Sequence, residues 1–406
     1  MNLPERFKLM KLVRVLLVLL LVVPIIISTV SVNAVDDSLV GTTINVYNWG
    51  EYIPDGTEGM INVNELFTQK TGIKVNYITY PSNEEMYAKL KSGGVSYDIV
   101  IPSDYMIERM ISEGMLQELD FSNIPNYDYI LDRYKSLSYD PENKYSVPYT
   151  VGMVGLIYNK EMVNVEPDSW SILWDDAYKG KILQFDNSRD AFAIAQFLLG
   201  IDVNSEDHTL WDKAADKLIE QKPLVKKYVM DEIFNMMESG EAALAPYYAG
   251  DYLSMVENNP DLGFVYPKEG TNYFVDAVCI PSSAQNKAGA EAYINFLLDP
   301  EIATAIAECI CYASPHSEVV NNPDYEYYQN PILYPAEEMY ENTQIYRNLS
   351  QMTLQYVNSL WDNIYISGVN YTVYYIVFAI IFAFVVGVFV FSKIKKKRRD
   401  SFIYDE

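Results

Sequence analysis

Histidine and cysteine are scarce in this sequence: two His and three Cys in 406 residues. That excludes an ordinary His/Cys metal cluster and a disulfide-dense scaffold. Basic residues are also in short supply, with 30 Lys and Arg against 55 Asp and Glu and a net charge of −25. Electrostatic binding to nucleic acid, which needs a basic face, is excluded in turn. No Ser-His-Asp array, Walker loop or zinc signature occurs, so the sequence offers no seat for catalysis, no metal site and no cofactor site. Repeats and low-complexity tracts are missing as well. Tyrosine is abundant, at 35 residues against 16 Phe and 5 Trp, and half of the chain is hydrophobic. A chain of this length has room for two or three domains at ~150 residues each.

Both termini carry apolar segments. Arg6, Lys8, Lys11 and Arg14 precede an uncharged run, Val15 to Ile27, and Val32-Asn33-Ala34 reads as a small-residue cleavage site. Residues 1–34 are therefore expected to be an export signal, with an uncleaved anchor helix as the other reading. No cysteine follows the run, which excludes a lipoprotein signal. Residues 373–391 carry no charge, and Lys393, Lys395, Lys396, Lys397, Arg398 and Arg399 follow at once. That length is close to the ~20 apolar residues needed to cross a bilayer, and the basic cluster marks the cytoplasmic side. A buried core helix is the plainer alternative. The terminal position and the basic cluster favour a transmembrane helix with a cytoplasmic tail, 392–406. The part between the two ends has 20 basic and 51 acidic residues, a net of −31. The expected arrangement is an acidic, Tyr-rich domain displayed outside the cell on one membrane anchor. Its field attracts cations, although such charge also serves solubility alone.

Between the ends the pattern is α/β. Residues 43–47 read as strand, 61–71 as helix stopped at Gly72, 74–80 as strand and 83–91 as helix closed by Gly93-Gly94. A strand at 97–101 stops at Pro102, and a helix at 103–114 has Ser103 or Asp104 as N-cap. This alternation implies a parallel sheet covered on both faces. Residues 120–144 are rich in Asn, Asp, Pro and Tyr and show no period. β-prone runs follow at 145–149 and 151–158, then a second α/β region through 181–185, 190–199 and 206–222. Residues 276–281 read as strand, 287–298 as amphipathic helix, 321–346 as irregular and 364–370 as a short tether to the membrane.

Ligands of open α/β sheets sit beyond the carboxyl ends of strands or between domains. There the sequence repeatedly sets an aromatic beside an acid. Trp49-Gly50-Glu51-Tyr52 follows the first strand, Asp190 lies just past the 181–185 strand, and Phe274-Val275-Asp276 starts a strand. Tyr247-Tyr248-Ala249-Gly250-Asp251 repeats the pairing in a loop. A single Trp-x-Glu is weak; its recurrence points to function. Cys279, Cys309 and Cys311 read as buried or partly free thiols, because a C-x-C pair rarely closes on itself. His208 and His316 read as surface residues.

Several blocks, in order, resemble the polyamine-binding protein of spermidine/putrescine ABC importers. They are YNWGEYIPDG (47–56), FTQKTGIKVNYITYPSNEEMYAKL (67–90), YDIVIPSDYMIERM (97–110), SVPYTVGMVGLIYN (146–159), YPKEGTNYFVDAVCIP (266–281) and AEAYINFLLDPEIA (290–303). The resemblance runs over residues 43–346. It implies a two-lobed periplasmic-binding-protein type 2 fold with a hinge and a ligand clamped between α/β lobes. The chain would cross near 148–152 and again near 273–276. Lobe 1 would then be 43–149 plus 276–322, and lobe 2 would be 150–275 plus 323–362. The implied partners are a polyamine and the permease subunits of an ABC transporter, and the implied role is transport rather than catalysis.

A polyamine is an alkyl chain with ammonium groups at fixed spacing. Each ammonium needs a carboxylate when it leaves water, and aromatic faces cover the methylenes and attract the cations. The resemblance places such a box at named positions. Trp49 and Tyr52 stand at matching aromatic positions, and Tyr248 and Phe274 stand where the spermidine branch has tryptophans. Tyr312, in CYASP, matches a family tyrosine, and Ser103 with Tyr105, in PSDY, matches a polar pair near the ligand. Glu51, Asp190 and Asp276 match family carboxylates. There are departures. A family aspartate is Asn187 here, a glutamate is shortened to Asp190, and a threonine after the tryptophan is Gly50. Tyr248-Ala249-Gly250-Asp251 instead resembles the W-A-G-D stretch of the putrescine branch, whose aspartate contacts an ammonium. Ligand length is thus open between spermidine and putrescine, with a tilt towards the diamine. The family's glutamine is not carried over, because the match is loose near Gln344 and Tyr346.

Other readings keep the fold and change the ligand. An amino acid would need an Arg for its carboxylate, and Arg189 is the one candidate inside a matched block. A sensor ectodomain is the third reading, with only residues 392–406 left for a cytoplasmic part.

Overall fold

The computed structural model describes residues 37–366, 381–388, 391 and 393. The chain divides between residues 40 and 41 into a short N-terminal unit and a large unit; the elements that follow belong to the large one. The expected export signal, 1–34, lies outside the described residues. So does most of the expected span at 373–391, of which residues 381–388 and 391 are described, as helix. No helix among the described residues is long and apolar enough to cross a membrane.

The first half follows the sequence pattern closely. Strand β1 (Thr43–Trp49), helix α1 (Val63–Thr71), β2 (Lys74–Tyr80), α2 (Asn83–Ser92), β3 (Ile99–Val100) and α3 (Asp104–Ser112) come in order. β1 pairs in parallel with both β2 and β3. The helix ends have local causes. Asn62 and Ser82 cap α1 and α2 by accepting from the backbone N–H of Glu65 and Glu85, and Gly72 and Gly93 close them in the left-handed conformation. Residues 120–144, aperiodic in sequence, fold as three 3₁₀ turns.

The two β-prone runs at 145–149 and 151–158 are one strand, β4 (Ser146–Asn159), and all of it is buried. A strand covered on both faces shows no alternation. The interruption between the runs is a register shift against its neighbour at Pro148/Thr150, where proline has no N–H to give the ladder. The second half adds β5 (Ile182–Phe185), α4 (Ser188–Leu199), α5 (His208–Gln221), β6 (Val225–Val229), α6 (Glu232–Glu238), β7 (Leu244–Tyr248), α7 (Ala249–Asn258) and β8 (Leu262–Val265). Strand β9 (Thr271–Cys279) begins well before the expected residue 276, so Phe274-Val275-Asp276 lies inside a strand rather than at its start. Likewise Tyr247–Asp251 is the end of β7 and the first turn of α7, not a loop. Helices α8 (Lys287–Leu297), α9 (Pro300–Ile310), α10 (Ser317–Val320) and α11 (Glu337–Tyr340), strand β10 (Thr343–Gln344) and helix α12 (Gln351–Ile366) complete the order.

The strands run β2-β1-β3-β9-β4-β7-β5-β6, with β10 on β9 and β8 on β4. β4 joins the two parallel groups, pairing antiparallel with β9 through Met153 and with β7 from Val154 onward. Residues 364–366, expected to start a membrane tether, belong to α12. That helix buries Val357 and Ile364 against Phe192, Trp211 and Leu218 of α4 and α5. His316 is not a surface residue: it is 1% exposed, with Nε2 3.0 Å from the Leu298 carbonyl oxygen. Burial holds its pKa below the usual imidazole range. His208 is half-buried, and Cys279 and Cys311 are buried thiols.

Candidate ligand-binding site

The carboxyl ends of β1, β2, β3, β5, β6 and β7 converge on one cavity of about 130 Å³. Trp49 ends β1 and Glu51 and Tyr52 follow it, Ser103 and Tyr105 follow β3, Asn187 and Asp190 follow β5, Tyr248 ends β7 and Asp251 lies in the first turn of α7. Phe274 and Asp276 come from β9, with Tyr312 just past α9. Asn272, Phe274 and Asp276 share one face because side chains alternate along a strand. All twelve residues expected at the site therefore line the same cavity.

Asp276 is 4% exposed. Its Oδ2 accepts a hydrogen bond from Tyr52 Oη at 2.6 Å, and the same hydroxyl lies 2.6 Å from Thr150 Oγ1. Asp276 Oδ1 makes no hydrogen bond of normal geometry among the described residues, although the Ser103 hydroxyl is close enough to act on the carboxyl. A buried carboxylate oxygen without a well-placed donor is a costly arrangement. Burial pushes the Asp276 carboxyl up to about 6; the Tyr52 and Ser103 hydroxyls pull it down, and the Asp190 charge adds to the rise. Asp251 sits in the first turn of α7. Burial pushes its carboxyl up to about 7, against a 3.2 Å hydrogen bond from Tyr312 Oη. Asp231, after β6, adds to the rise.

Asp190 is placed differently. It accepts from Tyr248 Oη at 2.6 Å, Tyr346 Oη at 2.9 Å and Asn187 Nδ2 at 2.8 Å. Asn187 is also the N-cap of α4, accepting from the Asp190 N–H at 2.9 Å. The position where the resemblance marks a lost carboxylate thus serves the helix start. Glu51 is solvent-exposed and has a left-handed backbone, φ 51°.

Aromatic rings close the walls. Tyr312 stands edge-on to Tyr52 at 5.6 Å, and Tyr248 edge-on to Phe274 at 5.5 Å. Trp49 packs on Tyr80 at 4.7 Å and is held by Nε1 donating to the Ile101 carbonyl. Two glycines make room for this. A Cβ on Gly152 would lie 2.3 Å from the Phe274 ring, and one on Gly250 would lie 2.3 Å from Tyr312. Ser103 is fixed by Asn83 of α2, which donates to its Oγ at 3.0 Å and accepts from its N–H at 3.1 Å.

Sequence reasoning missed several lining residues. Asp104 is fully buried and accepts from the Tyr105 and Val275 N–H groups, tying α3 to β9; burial raises its pKa well above the carboxylate range. Asp231 and Tyr346 also line the cavity, as does Arg189, which the sequence named only for the amino-acid reading. The Met230-Asp231 turn follows a strand that the sequence reading passed over, so only locating β6 could have found it. The loosely matched stretch near 346 carried no signal.

A family model described as bacterial extracellular solute-binding protein matches residues 96–342. The spermidine/putrescine-binding periplasmic protein of Escherichia coli K12 is 36% identical over 302 residues, covering 74% of this chain and 85% of its own. The putrescine-binding periplasmic protein SpuD of Pseudomonas aeruginosa is 29% identical, covering 79% and 91%. Among solved structures, the spermidine/putrescine transporter substrate-binding protein PotD of Streptococcus pneumoniae superposes with a TM-score of 0.68 at 34% identity, over 80% of this chain and 99% of its own. The TpPotD lipoprotein of Treponema pallidum gives 0.70 at 27%, over 79% and 99%. The two-lobed α/β fold of periplasmic binding proteins and the family match agree, and the chain belongs to the bacterial extracellular solute-binding proteins.

Proposed function

We propose that this protein captures a polyamine outside the cell and hands it to the permease of an ABC transporter for import. The observation that carries this reading is Asp276. It is a buried carboxylate with one oxygen making no hydrogen bond of normal geometry among the described residues, set among Tyr52, Phe274 and Tyr312, and an ammonium supplies a well-placed donor. Asp251 offers a second carboxylate in the same cavity. The aromatic faces cover the ligand's methylenes and attract its charges, at roughly 0.5–2 kcal/mol per contact.

In this reading residues 43–149 and 276–322 form one lobe, and 150–275 and 323–362 the other. They hinge where β4 and β9 cross, beside the register shift at Pro148/Thr150. The ligand stabilises the closed form through contacts it makes with both lobes at once. A signal at 1–34, cleaved after it directs export, and a membrane span at 373–391 that tethers the domain to the outer face of the membrane complete the reading. The support for the tether is the uncharged run followed by six basic residues. Isothermal titration of the full-length protein, freed of carried-over ligand by unfolding and refolding, with putrescine, cadaverine, spermidine and spermine tests the reading. Micromolar or tighter binding to one of them is expected; folded protein that binds none refutes it.

A further inference from the structure

Resting on the polyamine reading above, we propose that Asp231 is a ligand-binding residue. It shares with Asp251 the ammonium at the α7 end of the cavity. Asp231 stands between β6 and α6 and lines the same cavity as Asp251 and Asp276. Phe234, three residues on, lines it too, because positions three apart share one face of a helix start. Asp231 and Phe234 are thus one more acid set beside an aromatic. The cavity carries the mark of a cation site in Asp276, which is 4% exposed and has an oxygen without a hydrogen bond of normal geometry among the described residues.

The Asp231 carboxylate is not used by the fold. Aspartate is a favoured N-cap because its side chain accepts from the first-turn N–H groups. Asp207 and Asp299 do this for α5 and α9, accepting from the Thr209 and Glu301 N–H groups at 2.9 and 3.1 Å. Asp231 holds the same position of α6, but its side chain makes no capping bond. Its backbone there is already helical, φ −60° and ψ −19°, whereas a capping residue is usually extended. The neighbouring Glu232, by contrast, is engaged by Lys227 Nζ at 3.1 Å and by the Met230 N–H at 3.3 Å. Burial and the Glu232 charge both raise the Asp231 pKa, as expected of a carboxylate held without a cation. Gly50 faces it from the β1 side. A Cβ there would lie 3.9 Å from Asp231 Oδ2, so the bare glycine keeps that oxygen uncovered. The Asp231 charge also acts on Asp251 and Tyr247. The two aspartates therefore repel each other, and no lysine lines the cavity among the described residues. An ammonium has three donors. Placed between the two carboxylates, it bonds to both and removes the repulsion.

The test is isothermal titration of the full-length protein and of its Asp231→Asn variant with putrescine and spermidine, together with the melting temperature of each protein free of ligand. Asp231→Asn keeps the shape and removes the charge. The variant is expected to bind the preferred polyamine at least about tenfold more weakly, the low end for a close charge pair. Free of ligand it is expected to melt at the wild-type temperature or above, because the change removes a repelled carboxylate. A smaller loss of affinity overturns the proposal. So does a loss accompanied by a lower melting temperature, which is the result of a structural role. Folded wild-type protein that binds neither compound instead removes the polyamine reading itself.

Discussion

Acidification should release the ligand, by an amount set by two carboxylates. Asp276 and Asp251 have pKa values raised by burial to about 6 and about 7, and an ammonium is held only by their ionised forms. The ligand amines stay charged throughout, since alkyl ammonium groups lose a proton near 10. Going from pH 8 to pH 5, the ionised fraction of a group with pKa about 6 falls roughly tenfold, and of one with pKa about 7 roughly a hundredfold. Affinity therefore drops about tenfold if Asp276 alone holds an ammonium, and up to about a thousandfold if both do. The sign is the reverse of an ordinary salt-bridged acid. The empty folded protein binds more protons than the unfolded chain between about pH 4 and pH 7 at these two groups, so they stabilise it less as pH rises through that window. Ligand binding reverses this by pulling the protons off. At pH 6 about half a proton should leave per ligand bound if Asp276 alone holds an ammonium, and about one and a half if both acids do. Titrations at pH 5, 6, 7 and 8, each in two buffers of different ionisation enthalpy, measure both the affinity and the protons. A flat affinity across this range, with heats independent of buffer, refutes the argument.

Three further outcomes follow from the same geometry. Asp276→Asn should weaken binding by at least about 2 kcal/mol, roughly thirtyfold, the scale for removing one partner of a buried charge pair; unchanged affinity by calorimetry would rule out its role. Gly152→Ala drives a Cβ to 2.3 Å from Phe274, so we expect a stability loss of about 1–3 kcal/mol and weaker binding together. Wild-type values for both the melting temperature and the affinity would mean the ring moves freely. Ile364→Ala should cost about 2–5 kcal/mol, because Ile364 is fully buried on α4 and α5. An unshifted urea midpoint would return that residue to the membrane tether.

The sequence by itself determined the local elements wherever hydrophobic period and caps agreed. β1, β2 and α1 to α3 fell within a few residues of their observed bounds, because Asn62, Ser82, Gly72 and Gly93 stop and start helices through interactions with their own neighbours. The acids at the ends of β1 and β5 were also legible at their places, whereas Phe274-Val275-Asp276 fell inside β9 and Tyr247–Asp251 across a strand end and a helix start. What sequence could not show is what distant segments do to one another. β4 read as two runs because its middle breaks register only against a partner more than a hundred residues away. Helix α12 read partly as tether because its burial depends on α4 and α5. At the cavity, the sequence named Glu51, Asp190 and Asp276 together and ranked Asp276 first only for its place at the second crossing, with no view of its surroundings. The tertiary structure separates them: Asp190 accepts three side-chain hydrogen bonds from Tyr248, Tyr346 and Asn187, Glu51 is in solvent, and Asp276 is buried with one oxygen making no hydrogen bond of normal geometry among the described residues. Whether an acid can hold an ammonium depends on desolvation and on free lone pairs, and both are set by neighbours that only folding brings together.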